Sequence, residues 1–187
     1  DGDYTAGPIN ATDNNNWNNS GAAYIYTRTS LTAAWTFQAK LKPSQLGTQD
    51  YFGSSLDLSN DGNTLVVASI YEDGSGTGVN PTLNDSAADA GAAFVFSRSG
   101  STWTQQAYLK ANNSGSYDYF GANVAISGDG NTVAVGAIGE DGSTGGINAV
   151  DNNSSVNTGA VYTYTRSGST WIFESKIKAS ATHIGSE

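Results

Sequence analysis

The sequence predicts an all-β fold, a partial β-propeller made of four-stranded antiparallel units of about 68 residues. The first observation is a fixed repeat: Tyr51-Phe52-Gly53 returns as Tyr119-Phe120-Gly121, and the same spacing separates three tryptophans, Trp35, Trp103 and Trp171. The second is composition, because 23 glycines with abundant Asn, Ser and Thr and scarce Leu and Lys are typical of short strands joined by turns.

The first half of the unit is a predicted hairpin, shown here by the middle repeat, residues 52–119. Strand A runs from Phe52 to Ser59, where apolar and polar residues alternate. An Asp61-Gly62 pair between apolar runs is a strong hairpin signal. Strand B follows from Thr64 to Ile70, and its continuous apolar character predicts a strand covered on both faces.

The second half of the unit follows a polar segment, residues 71–90, that predicts a loop. Strand C runs from Gly91 to Ser97 and a turn leads into strand D, where Trp103, Gln105, Ala107 and Leu109 are expected to share one face. The other face carries lysines, such as Lys110, that we expect to protect an exposed sheet edge. Four antiparallel strands with two tight hairpins correspond to one propeller blade.

The repeat spacing divides the chain into one continuous array of blades. Residues 1–51 are predicted to form an incomplete blade with strands C and D plus the B–C loop, and residues 52–119 and 120–187 two full blades. A further Phe-Gly pair would fall just past Glu187. The sequence is therefore expected to be part of a longer protein.

These motifs resemble the FG-GAP repeats of integrin α-subunit propellers and their many bacterial relatives in secreted and surface proteins. The resemblance rests on Phe52-Gly53 and Phe120-Gly121, the Asp-Gly-Asn turn, and Gly136-Ala137 in place of the family's Gly-Ala-Pro. It implies a propeller used for adhesion or ligand binding at a bacterial cell surface or outside the cell. Known relatives have seven blades, of which this chain supplies at most three.

The sequence also departs from the family. Ile138 stands where the family has proline, and the middle repeat has Ala68-Ser69 where Gly-Ala is expected. Several relatives bind calcium between strands A and B through a loop with several aspartates, whereas here only Asp61 or Asp129 stands in that turn. That particular calcium site is expected to be absent.

The B–C loop is the best candidate for a metal site, because hard cations take six to eight oxygen ligands and this loop is rich in them. The candidate ligands, with calcium as the expected cation, are Asp3, Asp13, Glu72, Asp73, Glu140, Asp141 and Asp151. The alternative is that Asp and Asn cap turns through hydrogen bonds to the backbone. Asp13 and Asp151 align with Leu83 in the middle repeat, which favours turn chemistry as the common role.

The tryptophans fall into two classes. Those of strand D occupy one position in each repeat, which is typical of core between blades. Trp17 lies among asparagines and has no counterpart in the other repeats. An exposed aromatic ring in a polar loop is a candidate contact for a glycan or a protein.

Charge and composition exclude several functions. Seventeen acidic against eight basic residues give a net charge of -9, which disfavours nucleic acid and anionic membrane as partners. No apolar run has the roughly 20 residues of a membrane span. The chain has no cysteine, its one histidine, His183, lies outside the repeats, and no nucleophile or phosphate-loop motif occurs. We therefore expect no enzymatic activity and no catalytic residues.

Three functions remain after these exclusions. The leading hypothesis is an extracellular module that binds a protein or glycan ligand through its loops. The second is a structural repeat protein whose incomplete array closes a ring or extends a fibre with other copies, because terminal repeats need neighbours or caps. The third is a lectin-like carbohydrate binder.

Overall fold

A computed structural model describes residues 9–10, 18–43, 47–150, 152 and 156–180. Every regular element of this part is a β-strand. The strands are β1 (Ala23–Thr27), β2 (Thr36–Leu41), β3 (Phe52–Leu58), β4 (Thr64–Ser69), β5 (Gly78–Val79), β6 (Ala92–Ser99), β7 (Thr102–Lys110), β8 (Phe120–Ile126), β9 (Thr132–Ala137), β10 (Gly146–Ile147), β11 (Ala160–Ser167) and β12 (Thr170–Lys178).

The strands form three antiparallel sheets, which we call blades 1 to 3. Blade 1 consists of β1 and β2, blade 2 has the order β3-β4-β6-β7-β5, and blade 3 has the order β8-β9-β11-β12-β10. The predicted all-β propeller-type architecture is confirmed, with strands A to D as neighbours in each full sheet. The limits predicted for the three blades in sequence stay a prediction.

Strand B is central in both full sheets, but the full burial that its apolar run predicts holds only in blade 2, since residues of β9 in blade 3 alternate between buried and partly exposed. All six residues of β4 are buried between β3 and β6. The A–B hairpin turn depends on Asp61, whose carboxylate accepts hydrogen bonds from the Asn63 amide at 2.9 Å and the Ser59 hydroxyl at 2.6 Å. The one aspartate of this turn thus has a role in the hairpin itself.

The B–C segment, predicted to be only a loop, contributes a two-residue strand to each full blade. In blade 2, Gly78 and Val79 of β5 pair with Lys110 and Leu109 at the outer edge of β7. This added strand covers the edge that the lysines were expected to protect. That expectation is wrong, because Lys110 is completely buried and Lys176 and Lys178 are also buried.

A β-bulge in strand D also changes the predicted face assignment. The pairing of β6 with β7 shifts so that Gln106 has no cross-strand partner. Beyond the bulge the side chains change faces, so Trp103 packs with Tyr108 in one core cluster while Ala107 and Leu109 belong to another. The expectation that Trp103, Ala107 and Leu109 share a face is therefore wrong.

The hydrophobic core lies between the blades. One cluster joins small residues of blade 1 to the aromatic rings of blade 2, including Phe94, Phe96 and Trp103. The other joins blade 2 to blade 3 in the same way, including Tyr162, Tyr164 and Trp171. Each full blade therefore presents an aromatic face to the preceding blade and, where a blade follows, a face of small aliphatic residues to it. The predicted core role of strand D tryptophans is confirmed for Trp103 and Trp171, whereas Trp35 in blade 1 is 61% exposed.

The repeated Phe-Gly pair lies at the junction between blades. The Phe52 amide donates to the Ser20 carbonyl and the Phe120 amide to the Ala90 carbonyl, at 2.9 and 3.0 Å. Each phenylalanine backbone lies directly against a glycine of the preceding blade, Gly21 or Gly91. A methyl group added at Gly91 would lie 2.0 Å from the Phe120 carbonyl oxygen, so only glycine fits there.

This junction predicts different costs for one substitution at two equivalent positions. Gly91 and Gly159 both have a positive φ, 79° and 73°, but the nearest atom to an added methyl at Gly159 is 3.7 Å away. Gly159→Ala should cost about 1–2 kcal/mol of unfolding free energy from backbone conformation alone. Gly91→Ala should cost roughly 3–5 kcal/mol, because overlap with Phe120 adds to it. Urea unfolding of both variants measures this, and equal losses would contradict the account.

Candidate functional site

The start of the B–C loop in blade 2 holds a buried polar cluster around Glu72. Its Oε2 accepts from the Lys110 ammonium at 2.6 Å, and its Oε1 accepts from the Tyr108 hydroxyl at 2.6 Å. Gly74 passes so close that a methyl group there would lie 2.6 Å from Glu72 Oε1. The carboxylate is thus enclosed by a cation, a hydroxyl and backbone.

Glu140 has the equivalent position in blade 3 and is equally buried. It accepts from the Tyr162 hydroxyl at 2.7 Å and from the Asn113 amide at 2.8 Å, and it lies 3.6 and 3.9 Å from the ammonium groups of Lys176 and Lys178. Asn113 belongs to the segment between blades 2 and 3, so this cluster also joins neighbouring blades. A buried carboxylate with these partners has the features of a structural ion pair.

Burial shifts the pKa values of the two groups that contact Glu72, Lys110 and Tyr108. It lowers the pKa of the Lys110 ammonium, against the opposing effect of the Glu72 carboxylate. It raises the pKa of the Tyr108 hydroxyl, and the neighbouring Glu72 charge acts in the same direction. Tyr108 therefore stays a neutral donor to Glu72.

Two other predicted ligands in these loops, Asp73 and Asp141, accept hydrogen bonds from backbone amides. Asp73 accepts from the Asp89 amide and Asp141 from the Asn157 amide, each at 2.8 Å. The repeated asparagine of the loop does the same, since Asn80 accepts from the Tyr108 amide at 2.8 Å. These contacts match the predicted alternative to cation binding, in which Asp and Asn cap turns through hydrogen bonds to the backbone.

The structure brings the predicted metal ligands together only in part. Glu72 and Asp73 share one loop and Glu140 and Asp141 another, while Asp3, Asp13 and Asp151 lie outside the described residues, as does the predicted ligand contact Trp17. Within the described ranges, no three His, Cys, Asp or Glu side chains come together to hold a metal ion. Calcium binding stays a prediction.

Comparison with known families identifies the repeat. A family model described as the FG-GAP repeat matches residues 35–96 and 103–164, two segments that together cover more than half of the chain. The chain belongs to the FG-GAP repeat family. No curated protein matches it at a significant level.

The FG-GAP matches begin at strand D and end in strand C of the next blade. Each match therefore spans one junction between blades and contains its Phe-Gly pair. The FG-GAP unit of the sequence is thus offset from the structural blade. In the part of the chain that the structure describes, no helix has the length and apolar character of a membrane span.

A side-chain clamp at each FG-GAP junction escaped the sequence reasoning. The bulged residue of strand D accepts hydrogen bonds from the Trp and Arg of the following blade. Gln38 Oε1 accepts from Trp103 Nε1 at 3.0 Å and from Arg98 at 3.4 Å. Gln106 accepts from Trp171 at 2.7 Å and from Arg166 at 3.1 Å. The 68-residue spacing of the two glutamines and of Arg98 and Arg166 was the available signal.

A row of tyrosines lies along one end of the blades, which we call the tyrosine end. There the connections from strand D to strand A of the next blade meet the B–C loop. Adjacent ring centroids in the order Tyr51, Tyr71, Tyr119 and Tyr117 are 5.3, 5.8 and 6.5 Å apart. Tyr51 and Tyr117 are 43% and 55% exposed. Tyr51, Tyr117 and Tyr119 have positive φ angles, which are uncommon for aromatic residues and costly.

The buried ion pair predicts a strongly non-additive response to substitution. Lys110→Met leaves the Glu72 carboxylate buried without its cation and should lower the unfolding free energy by roughly 3–5 kcal/mol. Adding Glu72→Gln, which retains an acceptor for Tyr108, should recover most of that loss. Denaturant unfolding of both single variants and the double variant gives the coupling. Additive losses would contradict the pairing.

The raised pKa of the buried Asp50 carboxyl predicts that the stability of the protein depends on pH. Burial of this carboxyl, with the nearby carboxylates of Glu72, Asp73 and Asp85, raises its pKa from 3.8 to about 7, although the Gly47 amide acts in the opposite direction. The folded state therefore retains a proton that the unfolded state releases, so stability falls as pH rises from about 4 to about 7, by about 1.4 kcal/mol per unit at most.

Asp50→Asn keeps an acceptor for the Gly47 amide and removes this titration. The variant should be more stable than the wild type at pH 8, and the advantage should shrink towards pH 4. Thermal melts across this range measure the difference, and Glu174→Gln, at an exposed carboxylate, controls for the change in net charge. A difference independent of pH would argue against the shifted titration.

Proposed function

We propose that this chain is an extracellular or cell-surface FG-GAP propeller module that binds a protein or glycan ligand through the loops at the tyrosine end of the array. The observation that carries the proposal is the row Tyr51, Tyr71, Tyr119 and Tyr117. Tyrosine combines a large apolar surface with a hydroxyl and loses little conformational entropy on binding. Such rings are typical anchors of protein and carbohydrate ligands.

The row has further properties of a binding surface. It spans the junctions of all three blades, so the sheets hold its rings in fixed positions. Its rings come from connections between strands, where binding residues are concentrated in rigid scaffolds. The net charge of -9 favours neutral or basic ligands over acidic ones.

A carbohydrate ligand is the more specific alternative within this proposal. The tyrosines meet edge to face, at interplanar angles of 77° and 88° for the first two contacts, and their ring faces and hydroxyl groups suit the apolar faces and hydroxyls of sugars. The Tyr51 hydroxyl already accepts from the Asn19 side chain at 3.2 Å, which places an amide beside the ring. Trp17, near this asparagine in sequence, stays a candidate for the same surface.

Binding to a glycan array and to an array of extracellular proteins tests the proposal. The variant Tyr51→Asn/Tyr117→Asn removes two rings at positions where asparagine tolerates the left-handed backbone. We expect binding at least about tenfold weaker, corresponding to about 1.4 kcal/mol, with an unchanged or higher melting temperature. Leu31→Asn, at a side chain 84% exposed in a different turn, is the matched control.

Two results would refute the proposal: no binding on either array, or binding that the double tyrosine variant leaves unchanged. Each array is probed with calcium at about 10⁻³ M and with a chelator, since extracellular modules bind calcium in that range. A lower melting temperature in chelator would support the predicted calcium role of the B–C loop.

A further inference from the structure

The polar cluster around Glu140 contains the groups that an amide condensation needs. The Glu140 side chain lies in a residue that is 1% exposed, and its Oε1 atom accepts a hydrogen bond from the Asn113 side-chain amide at 2.8 Å. The ammonium of Lys176, a residue 4% exposed, lies 3.6 Å from the same oxygen. An amine, a carboxamide and a carboxylate therefore meet at one oxygen atom inside the protein.

Lys178 has the structural role that Lys110 has in blade 2. It lies 68 residues after Lys110 and 3.9 Å from the Glu140 carboxylate, and it donates to two backbone carbonyls at the start of the B–C loop, at 2.7 and 3.4 Å. Lys176 is a second cation at this carboxylate, and its counterpart in blade 2 is Tyr108. The ion pair common to both blades therefore does not require Lys176.

Tyr162 completes the cluster, and it also differs from its counterpart in blade 2, which is Phe94. It lies on β11 directly opposite Lys176 on β12. Its hydroxyl is 2.7 Å from Asn113 Oδ1 and 2.7 Å from Glu140 Oε2. A hydrogen bond donated to Oδ1 polarises the carboxamide and stabilises the negative charge that develops on this oxygen when an amine attacks Cγ.

We propose that Lys176 and Asn113 condense into an intramolecular isopeptide bond. Glu140 is the general base, and Tyr162 is the hydrogen-bond donor to the carbonyl oxygen. The bond joins β12 of blade 3 to the segment between blades 2 and 3, in a chain that has no cysteine for a disulfide. The reaction occurs once in each molecule, so it is a modification of the protein and involves no enzymatic turnover.

The atoms and protons of this reaction balance within the cluster. Glu140 takes a proton from the Lys176 ammonium, and the neutral amine attacks Asn113 Cγ with its lone pair. The Nζ–Cγ bond forms, Glu140 passes its proton to Nδ2, and the Cγ–Nδ2 bond breaks. A secondary amide remains, and the released ammonia takes up the second proton of the amine and leaves as ammonium.

The surroundings of the cluster favour the condensation. The strand pair and the junction hold both reacting groups at one carboxylate, so the attack is intramolecular. Conversion of the Lys176 ammonium into a neutral amide removes the cost of burying that cation. Asn113 is only half-buried, which gives the leaving ammonia a path to solvent.

Intact-mass spectrometry of the purified chain tests the proposal. The mass should be lower than the sequence mass by one ammonia, about 17 Da. Fragmentation of a tryptic digest should place one link between the peptide that contains Asn113 and the peptide that contains Lys176. Lys176→Arg keeps the positive charge on a group that stays protonated, so this variant should have its full sequence mass. Lys178→Arg, the matched control, should still lose ammonia.

The outcomes separate this bond from other losses of ammonia. A wild-type chain with its full sequence mass would overturn the proposal. A loss that persists in Lys176→Arg would also overturn it, because cyclisation of an asparagine onto its own backbone releases ammonia too, and so would a link that fragmentation assigns to Lys178. Glu140→Gln keeps an acceptor but removes the base, so it should retain its full mass, with circular dichroism to check its folding. If that variant does not fold, the comparison of Lys176→Arg with Lys178→Arg still decides.

Discussion

The rest of the structure depends on the close approach of a Phe-Gly backbone to a glycine of the preceding blade. At Gly21 and Gly91 a side chain of any size would meet the backbone of Phe52 or Phe120. The contact aligns the blades closely enough for the core to form between them, so small residues of one sheet cover the aromatic rings of the next. Stability in this array therefore belongs to pairs of blades more than to single sheets.

Buried polar side chains also connect neighbouring blades at these junctions. The Gln38 and Gln106 clamps satisfy the tryptophan N–H groups that packing would otherwise bury without a partner. The Glu140 cluster reaches across to Asn113 of the preceding segment. Buried charges are costly unless paired, and here the pairing fixes where each B–C loop begins. At the same junctions, Tyr51 and Tyr117 keep about half of their side-chain surface exposed.

Much of this architecture follows from the sequence, because identical spacing of Phe-Gly, Asp-Gly and Trp imposes the same strands in each repeat. Other features do not follow from it, and two of them show why. A bulge at Gln106 shifts the register by one residue, and an alternating pattern gives no sign of it until pairing is known. Lys110 has the sequence context of a surface lysine, and only the short β5 strand and the position of Glu72 show that it is buried. The sequence identifies the candidate ligands of the B–C loop but not their hydrogen-bond partners, because those partners lie far from them in sequence.

Native-state hydrogen exchange tests the central claim most directly, by comparing the Phe120 amide at the junction with the Val67 and Val135 amides in the centres of blades 2 and 3. If the junction holds the array together, all three amides exchange with the same opening free energy, within about 1 kcal/mol, and respond equally to low denaturant. A Phe120 amide that exchanges much more easily than Val67 and Val135 would contradict the account, because the blades would then be stable without their junction.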